Sequence, residues 1–179
     1  RVFTIGGEGQ YLVGAVGAMA LVTADGVRDL PAVVLVPLGI AAALVAGGLW
    51  SMLSGWLWVR FGASVVISSL MLTYVADAVL QWAVRTGIRD PDSFVPASRN
   101  VGNAELVGVG NTHLGFILAL LLPLVVAAVM ARHRGGFRIS ALGLNGEALD
   151  ANEVPARRIV LWVTLFAGAM AGIAGFVEV

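Results

Sequence analysis

The stretch PAVVLVPLGIAAALVAGGLWSMLSGWLWV fills residues 31–59 without one charged side chain. A helix that crosses the hydrocarbon of a bilayer takes about 20 mainly apolar residues, and this run exceeds that length. It has no Asp, Glu, Lys or Arg to offer water on any face, so its natural solvent is lipid or protein interior. The flanking sequence repeats the pattern. Residues 106–131 and 159–177 lack all four charged types as well, and residues 61–84 carry only Asp77. A weaker run covers residues 3–22, where Glu8 and Gln10 interrupt it. Together these runs predict an all-α fold, a polytopic transmembrane helix bundle of about five spans.

Composition points the same way. Of 179 residues, 59% are hydrophobic and 12% charged, and the mean hydropathy is +0.91. A soluble domain is roughly 45–50% apolar and about 25% charged. So little charge cannot cover a water-facing surface, which excludes a soluble enzyme and a disordered tail. The 11 basic residues are all Arg and are balanced by 11 acidic ones, leaving no general basic field for nucleic acid. The absence of Cys removes disulfides, thiolate metal sites and Cys nucleophiles. Without Lys there is no nucleotide-cradling P-loop, and Gly6, Gly7 and Gly9 do not form a dinucleotide fingerprint. His113 and His133 lack a partner four residues on and read as interfacial polar residues, not metal ligands. We therefore expect no catalytic residues, no metal and no cofactor on this chain.

Arg1 follows no Met, no signal peptide is visible, and Val179 stands directly behind an apolar run. The expectation is that residues 1–179 form part of a single transmembrane domain whose N- and C-terminal spans are missing. Sidedness follows from Arg, which concentrates in cytoplasmic loops. If residues 132–158 are cytoplasmic, alternation puts Arg1 and Arg60 there too, so seven of the 11 Arg lie inside. Residues 85–112 then form an outer loop, rich in Pro and Gly, whose length marks it as functional.

Chemistry-bearing residues are few. Ser69, Thr73, Asp77 and Gln81 recur every four residues, and each step advances only 40° around a helix, so they form one slanting stripe. A carboxylate at membrane depth costs roughly 2.5–3.5 kcal/mol on insertion scales, so Asp77 should face the bundle interior or a wet cavity. The stripe is accordingly a candidate translocation path; hydrogen bonds to neighbouring helices, or an Asp77 near the outer interface, account for the same residues. Gly6 and Gly7 beside Glu8 and Gln10 suit a broken or re-entrant helix lining a cavity; an interfacial position of Glu8 accounts for them equally. Gly168 and Gly172 make a G-x-x-x-G pair, joined by Gly175, that lets another helix approach closely. Residues 132–158 contain a short, charged, amphipathic segment, either a connector or a docking element for a cytoplasmic partner.

Several of these segments resemble one family. Gly136-Phe137-Arg138, then Ala141 to Asn145 and Ala148, is similar to the cytoplasmic loop of bacterial ABC-importer permeases of the branched-chain amino acid and simple-sugar type. Gly168-Ala169, Ala171-Gly172, Ala174-Gly175 and Glu178-Val179 resemble the helix that follows it. Ile5 to Gln10 and Ser69 to Tyr74 resemble segments typical of the nucleoside branch. The matches keep the family's order over nearly the whole chain. The resemblance implies a permease subunit of an importer in the bacterial cytoplasmic (inner) membrane, carrying a nucleoside or similar small polar solute. It also implies three partners: a second permease subunit, a cytoplasmic ABC ATPase that binds the ATP, and an extracytoplasmic substrate-binding lipoprotein. Gly143, Asn145, Glu147, Ala148 and Arg157 would couple to the ATPase; Gln10, Thr73 and Asp77 would lead the path. Here residues 149–154 depart from the family loop, and Thr73 replaces its Asn, which bears on selectivity. The alternatives are an importer of a sugar or a branched-chain amino acid, and a proton-coupled secondary transporter using Asp77.

Overall fold

A computed structural model describes residues 4–88, 108–109, 112–144 and 156–178. Six helices account for most of them: α1 Gly7–Val22, α2 Ala32–Phe61, α3 Val65–Thr86, α4 Leu114–Arg132, α5 Arg134–Leu144 and α6 Ala156–Glu178. Helices α2, α3 and α6 are each long and apolar enough to cross a membrane, and α4 adds 19 residues. The architecture is a polytopic helical bundle. The weakest run gives α1, whose 16 residues measure about 24 Å at 1.5 Å per residue, short of a hydrocarbon thickness of about 30 Å.

The fourth apolar run differs in its first residues. Gly108–Val109 and Thr112–His113 pair as a two-residue antiparallel ladder, Gly108 opposite His113 and Val109 opposite Thr112, before α4 begins at Leu114. The β-branched Val109 and Thr112 favour extended backbone. Most of the expected outer loop, residues 89–107, lies outside the described residues.

Close glycine contacts fix how the helices run. Along α1, Gly6 stands against Ser69, and Gly9 against Thr73 and Ala76; further on, Met19 packs with Ala83. Helices α1 and α3 are therefore parallel. Gly47 lies beside the backbone of Gln10, Gly17 beside Ala46, and Gly39 beside Val22, so α1 and α2 are antiparallel. Helix α6 runs against α2 as well. The starts of α1, α3 and α6 thus share one side, the alternation that the Arg distribution predicts.

The α2–α6 seam is built from backbone. Gly55 opposes Thr164, Gly168 touches Ser51 and the Gly47 carbonyl, Gly172 touches Ala43 and Gly47, and Gly39 receives the ring of Phe176. Lipid tails are as apolar as Leu, so helices in a membrane gain from close packing, and small residues permit the closest. At the end of the bundle where α1 and α6 finish, Ala18, Val22, Leu35, Ala43 and Phe176 close a buried cluster.

Two turns explain the connections. Gly62 ends α2 at φ 68, a left-handed conformation that a Cβ disfavours, and the chain reverses into α3. At the α4–α5 corner the Gly135 N–H donates to His133 Nδ1 at 3.1 Å and the Gly136 N–H to the His133 carbonyl at 3.0 Å. His133 is thus part of the corner itself.

Candidate functional site

The site is assembled where the start of α1 meets α3. Gly6 and Gly9, three apart, share one face of α1, and neither carries a side chain to hold α3 away. A Cβ on Gly9 would come within 2.9 Å of Thr73 Cα and 3.1 Å of its Oγ1. The Ile5 N–H donates to Ser69 Oγ at 3.2 Å, pinning the chain as it enters α1.

Depth can be counted along the neighbours. Gln10 lies beside Gly47, about 21 Å from the Phe61 end of α2, and level with Gly168, about 18 Å into α6. Gly6 is one turn into α3, at Ser69. Helix α1 therefore begins about one turn in from the start of α3. Both the broken-helix reading of Gly6 to Gln10 and an interfacial Glu8 fit this position. The first turn has no side-chain cap; its N–H groups lack intrahelical partners and form the positive end of the helix dipole. Glu8 sits in that turn, is exposed, and complements the dipole there. Nothing stands within 4 Å of where a Gly7 Cβ would be.

The α3 stripe divides between two surroundings. Ser69 is 2% exposed; its hydroxyl donates to the Val66 carbonyl at 3.1 Å while accepting from Ile5. The Thr73 hydroxyl donates to the Ser69 carbonyl at 3.1 Å. Both donors are thus spent on their own helix, and Thr73 can offer a solute only lone pairs. Asp77 and Gln81 are exposed and paired, Gln81 Nε2 donating to Asp77 Oδ2 at 2.8 Å. Tyr74, 67% exposed, stands on the same side. The cause is the 40° drift of the row: eight residues on from Ser69, Asp77 has turned about 80° away from α1. Gln10, 4% exposed, is enclosed at the junction of α1, α2 and α6.

The other sequence-predicted residues lie elsewhere. Gly143 is half-buried near the end of α5, and Arg157 is exposed in the first turn of α6. Asn145, Glu147 and Ala148 lie outside the described residues. Helix α5 itself falls earlier, at Arg134–Leu144, and presents Phe137, 77% exposed, beside Arg138. Gly168, Gly172 and Gly175 are buried, with Gly175 against the Tyr11 carbonyl.

Sequence reasoning missed two groups on α2. Ser51 Oγ and Trp50 Nε1 are buried without a hydrogen-bond partner among the described residues. The signal was present in the sequence: Gly39, Ala43, Gly47, Ser51 and Gly55 are small residues spaced every four positions.

Comparison with known proteins supplies the remaining context. The family described as "Branched-chain amino acid transport system / permease component" matches residues 1–179. The guanosine ABC transporter permease protein NupP of Bacillus subtilis is 32% identical over 99% of this chain and 52% of its own length. The glucose ABC transporter permease protein TsgB13 of Haloferax volcanii is 31% identical over 99% of this chain and 50% of its own. The nucleoside ABC transporter permease protein NupB of Lactococcus lactis subsp. cremoris is 26% identical over 98% and 51%. The chain thus spans about half the length of the curated relatives it matches. No solved structure matches it significantly.

Proposed function

The chain belongs to the branched-chain amino acid transport system permease family, and from that premise we propose that it forms part of the translocation path of an ATP-driven importer for a nucleoside or a similar small polar solute. It is a multi-pass membrane protein; we place it in the cytoplasmic membrane. Residues 1–179 then make up one part of a single permease domain whose remaining spans complete the bundle. The chain itself does no bond chemistry: ATP is bound and hydrolysed on a cytoplasmic ABC ATPase. A second permease subunit completes the pore, and an extracytoplasmic binding lipoprotein delivers the solute.

The observation that carries this reading is the start of α1 packed through Gly6 and Gly9 against Ser69 and Thr73 of α3. Freed backbone at membrane depth is tolerated where it lines a cavity, and broken helices mark the solute sites of many transporters. On the exposed side of α3 the Asp77–Gln81 pair accepts from ribose or sugar hydroxyls, and Glu8 does the same near the α1 start. Tyr74 offers a ring face for a base. Gln10, Ser69 and Thr73 are the path candidates nearest the α1 start, Gln10 and Ser69 buried and Thr73 half-buried. On the cytoplasmic side, Gly143, Asn145, Glu147, Ala148 and Arg157 couple the ATPase to α6, whose first turn Arg157 occupies. ATP-driven closure then moves the helices as rigid bodies and alternates access to the site.

A sugar is the second reading, since the Haloferax relative named for glucose is as similar as the one named for guanosine. The test is uptake of labelled guanosine and labelled glucose by cells expressing the full-length permease with its partners. A parallel strain carries an ATPase unable to hydrolyse ATP. Guanosine uptake lost in that strain is the expected result, and glucose uptake alone would move the solute class. Uptake indifferent to the inactive ATPase would overturn the importer and bring proton coupling through Asp77 to the front.

A further inference from the structure

One flank of the α2–α6 pair is open and is built from residues of another size. Where α2 meets its neighbours it presents glycine, alanine and serine; on this flank it presents Leu49, Leu53 and Trp56, which are 56%, 42% and 47% exposed. Helix α6 adds Trp162, 69% exposed, and Phe166, 49% exposed. Helices in a membrane approach one another through small residues, so a bulky outward row suits acyl chains and not a further helix.

A gradient of polarity runs along the flank. Arg60 stands one turn beyond Trp56 on α2, and Arg158 one turn before Trp162 on α6; both Arg are exposed. Gly55 opposes Thr164, which fixes the relative depth of the two rows. Arg60 lies about 7.5 Å past that contact and Arg158 about 9 Å, while Trp56 and Trp162 lie about 1.5 Å and 3 Å past it. The directions agree as well. At 100° per residue, Trp56 and Arg60 are turned about 100° and 140° from Gly55, and Trp162 and Arg158 about 160° and 120° from Thr164. Turns of the same sense on antiparallel helices lead to the same flank. Two Arg at one level, two Trp a turn deeper and apolar side chains beyond them follow the order of headgroup, interface and hydrocarbon.

The guanidinium groups are free to act. Among the described residues neither Arg60 nor Arg158 is in an ion pair. Arg60 Cζ stands 5.7 Å from the centroid of the Phe61 ring, a contact that spends none of its N–H groups on an oxygen. Phe61 in turn meets Trp56 edge to face at 5.6 Å, which steadies the indole. Guanidinium binds phosphate through paired N–H donors, and basic sites between membrane helices take anionic headgroups. A zwitterionic lipid would bring its own cation up to the same two Arg; an anionic one would not.

We propose that this flank binds an anionic phospholipid. Arg60 and Arg158 hold its phosphate, Trp56 and Trp162 stand at the level of its glycerol, and its acyl chains run along Leu49, Leu53 and Phe166.

The full-length permease with its partners is reconstituted into nanodiscs of phosphatidylcholine mixed with phosphatidylglycerol, one lipid or the other carrying brominated chains that quench nearby indoles. Differences between the parent and Trp56→Phe or Trp162→Phe isolate the two reporters. At low salt, brominated phosphatidylglycerol should quench both several-fold more than brominated phosphatidylcholine at equal content. The excess should shrink as salt is raised and vanish when Arg60→Gln and Arg158→Gln are combined, while quenching by phosphatidylcholine persists. Reporters quenched by neither lipid would show that protein covers the flank and would overturn the proposal. Equal quenching by both lipids would overturn it too, as it must if the acids of residues 145–155, outside the described residues, already pair with these Arg. The salt series on the parent alters neither Arg, so the proposal stays testable even where the double variant fails to fold. Uptake is not the readout, so the lipid site and the importer reading stand or fall separately.

Discussion

Gly172 is the residue where α6 is pressed from two sides, and replacing it by Ala gives the sharpest test of the packing. A methyl group there would fall on the Ala43 carbonyl oxygen, 3.0 Å from the Ala43 carbonyl carbon and 3.2 Å from Gly47 Cα. On the other side Gly14 of α1 already approaches the Gly172 backbone too closely to admit a Cβ of its own. Carbon atoms pack best at about 3.5–4.0 Å, so the helices must part, by roughly 1 Å against the oxygen. A radial gap of that size forfeits a quarter to a half of each dispersion contact, and the loss extends to the neighbouring Gly168–Ser51 and Gly55–Thr164 pairs. Overpacking of this kind costs about 1–3 kcal/mol, while Ala in place of Gly returns up to about 1 kcal/mol of helix propensity. The net expectation is a destabilisation of about 1–2 kcal/mol, and more for Gly172→Val. Gly7→Ala is the control: nothing lies within 4 Å of its Cβ position, so it should be neutral or slightly stabilising. Thermal unfolding of the purified full-length permease, followed by tryptophan fluorescence, reads both. Gly172→Ala as stable as the parent would refute the close-packed seam, as would equal damage from Gly7→Ala.

Further expectations concern the turn, the path and its charge. Gly62→Ala should cost about 1–2 kcal/mol in the same assay purely through its positive φ, since the Cβ position is open; Gly62→Asn should cost less. Gly9→Val should push α1 off Thr73 and lower uptake, with glycine-to-alanine an intermediate case. Asp77→Asn keeps an acceptor for Gln81 while removing the charge, so ATP-dependent uptake should persist; its loss, together with sensitivity to an uncoupler, would make Asp77 a proton carrier. Thr73→Leu and Gln10→Ala should each impair uptake in well-expressed protein, and normal transport by both would take these residues off the path.

Much of this bundle was legible because lipid is a simple solvent to read against. A run without charge, as in residues 31–59, has few alternatives to a spanning helix, and α2 spans Ala32–Phe61. Uniform apolarity also hides which face packs. In α2 no polar contrast marks an inner side, and only the size of Gly39, Ala43, Gly47, Ser51 and Gly55 does so, a signal that hydropathy cannot register. The α3 stripe was correct as a periodicity but incomplete as a placement. Its rotation carries Asp77 and Gln81 off the short α1, and no count of spacing reveals how long the neighbouring helix will be. The ladder before α4 was obscured because Val109 and its neighbours read as apolar in either conformation. The coupling roles proposed for Gly143 and Arg157 would depend on a partner chain and are not encoded in local geometry.

The length of α2 has a consequence for the membrane around the protein. Its 30 residues measure about 45 Å, half as long again as a typical hydrocarbon layer. Trp56, Trp58 and Arg60 near its end are of the kinds that anchor at the headgroup level, and Pro31 stands just before its beginning. Such a helix must lean, thicken the bilayer locally, or raise its ends among the headgroups. Each response depends on acyl-chain length, so lipid thickness acts directly on the helix that carries the seam with α6. Thin and thick membranes would therefore hold the same polypeptide at different inclinations, making the host bilayer a physical setting for this helical bundle as well as its container.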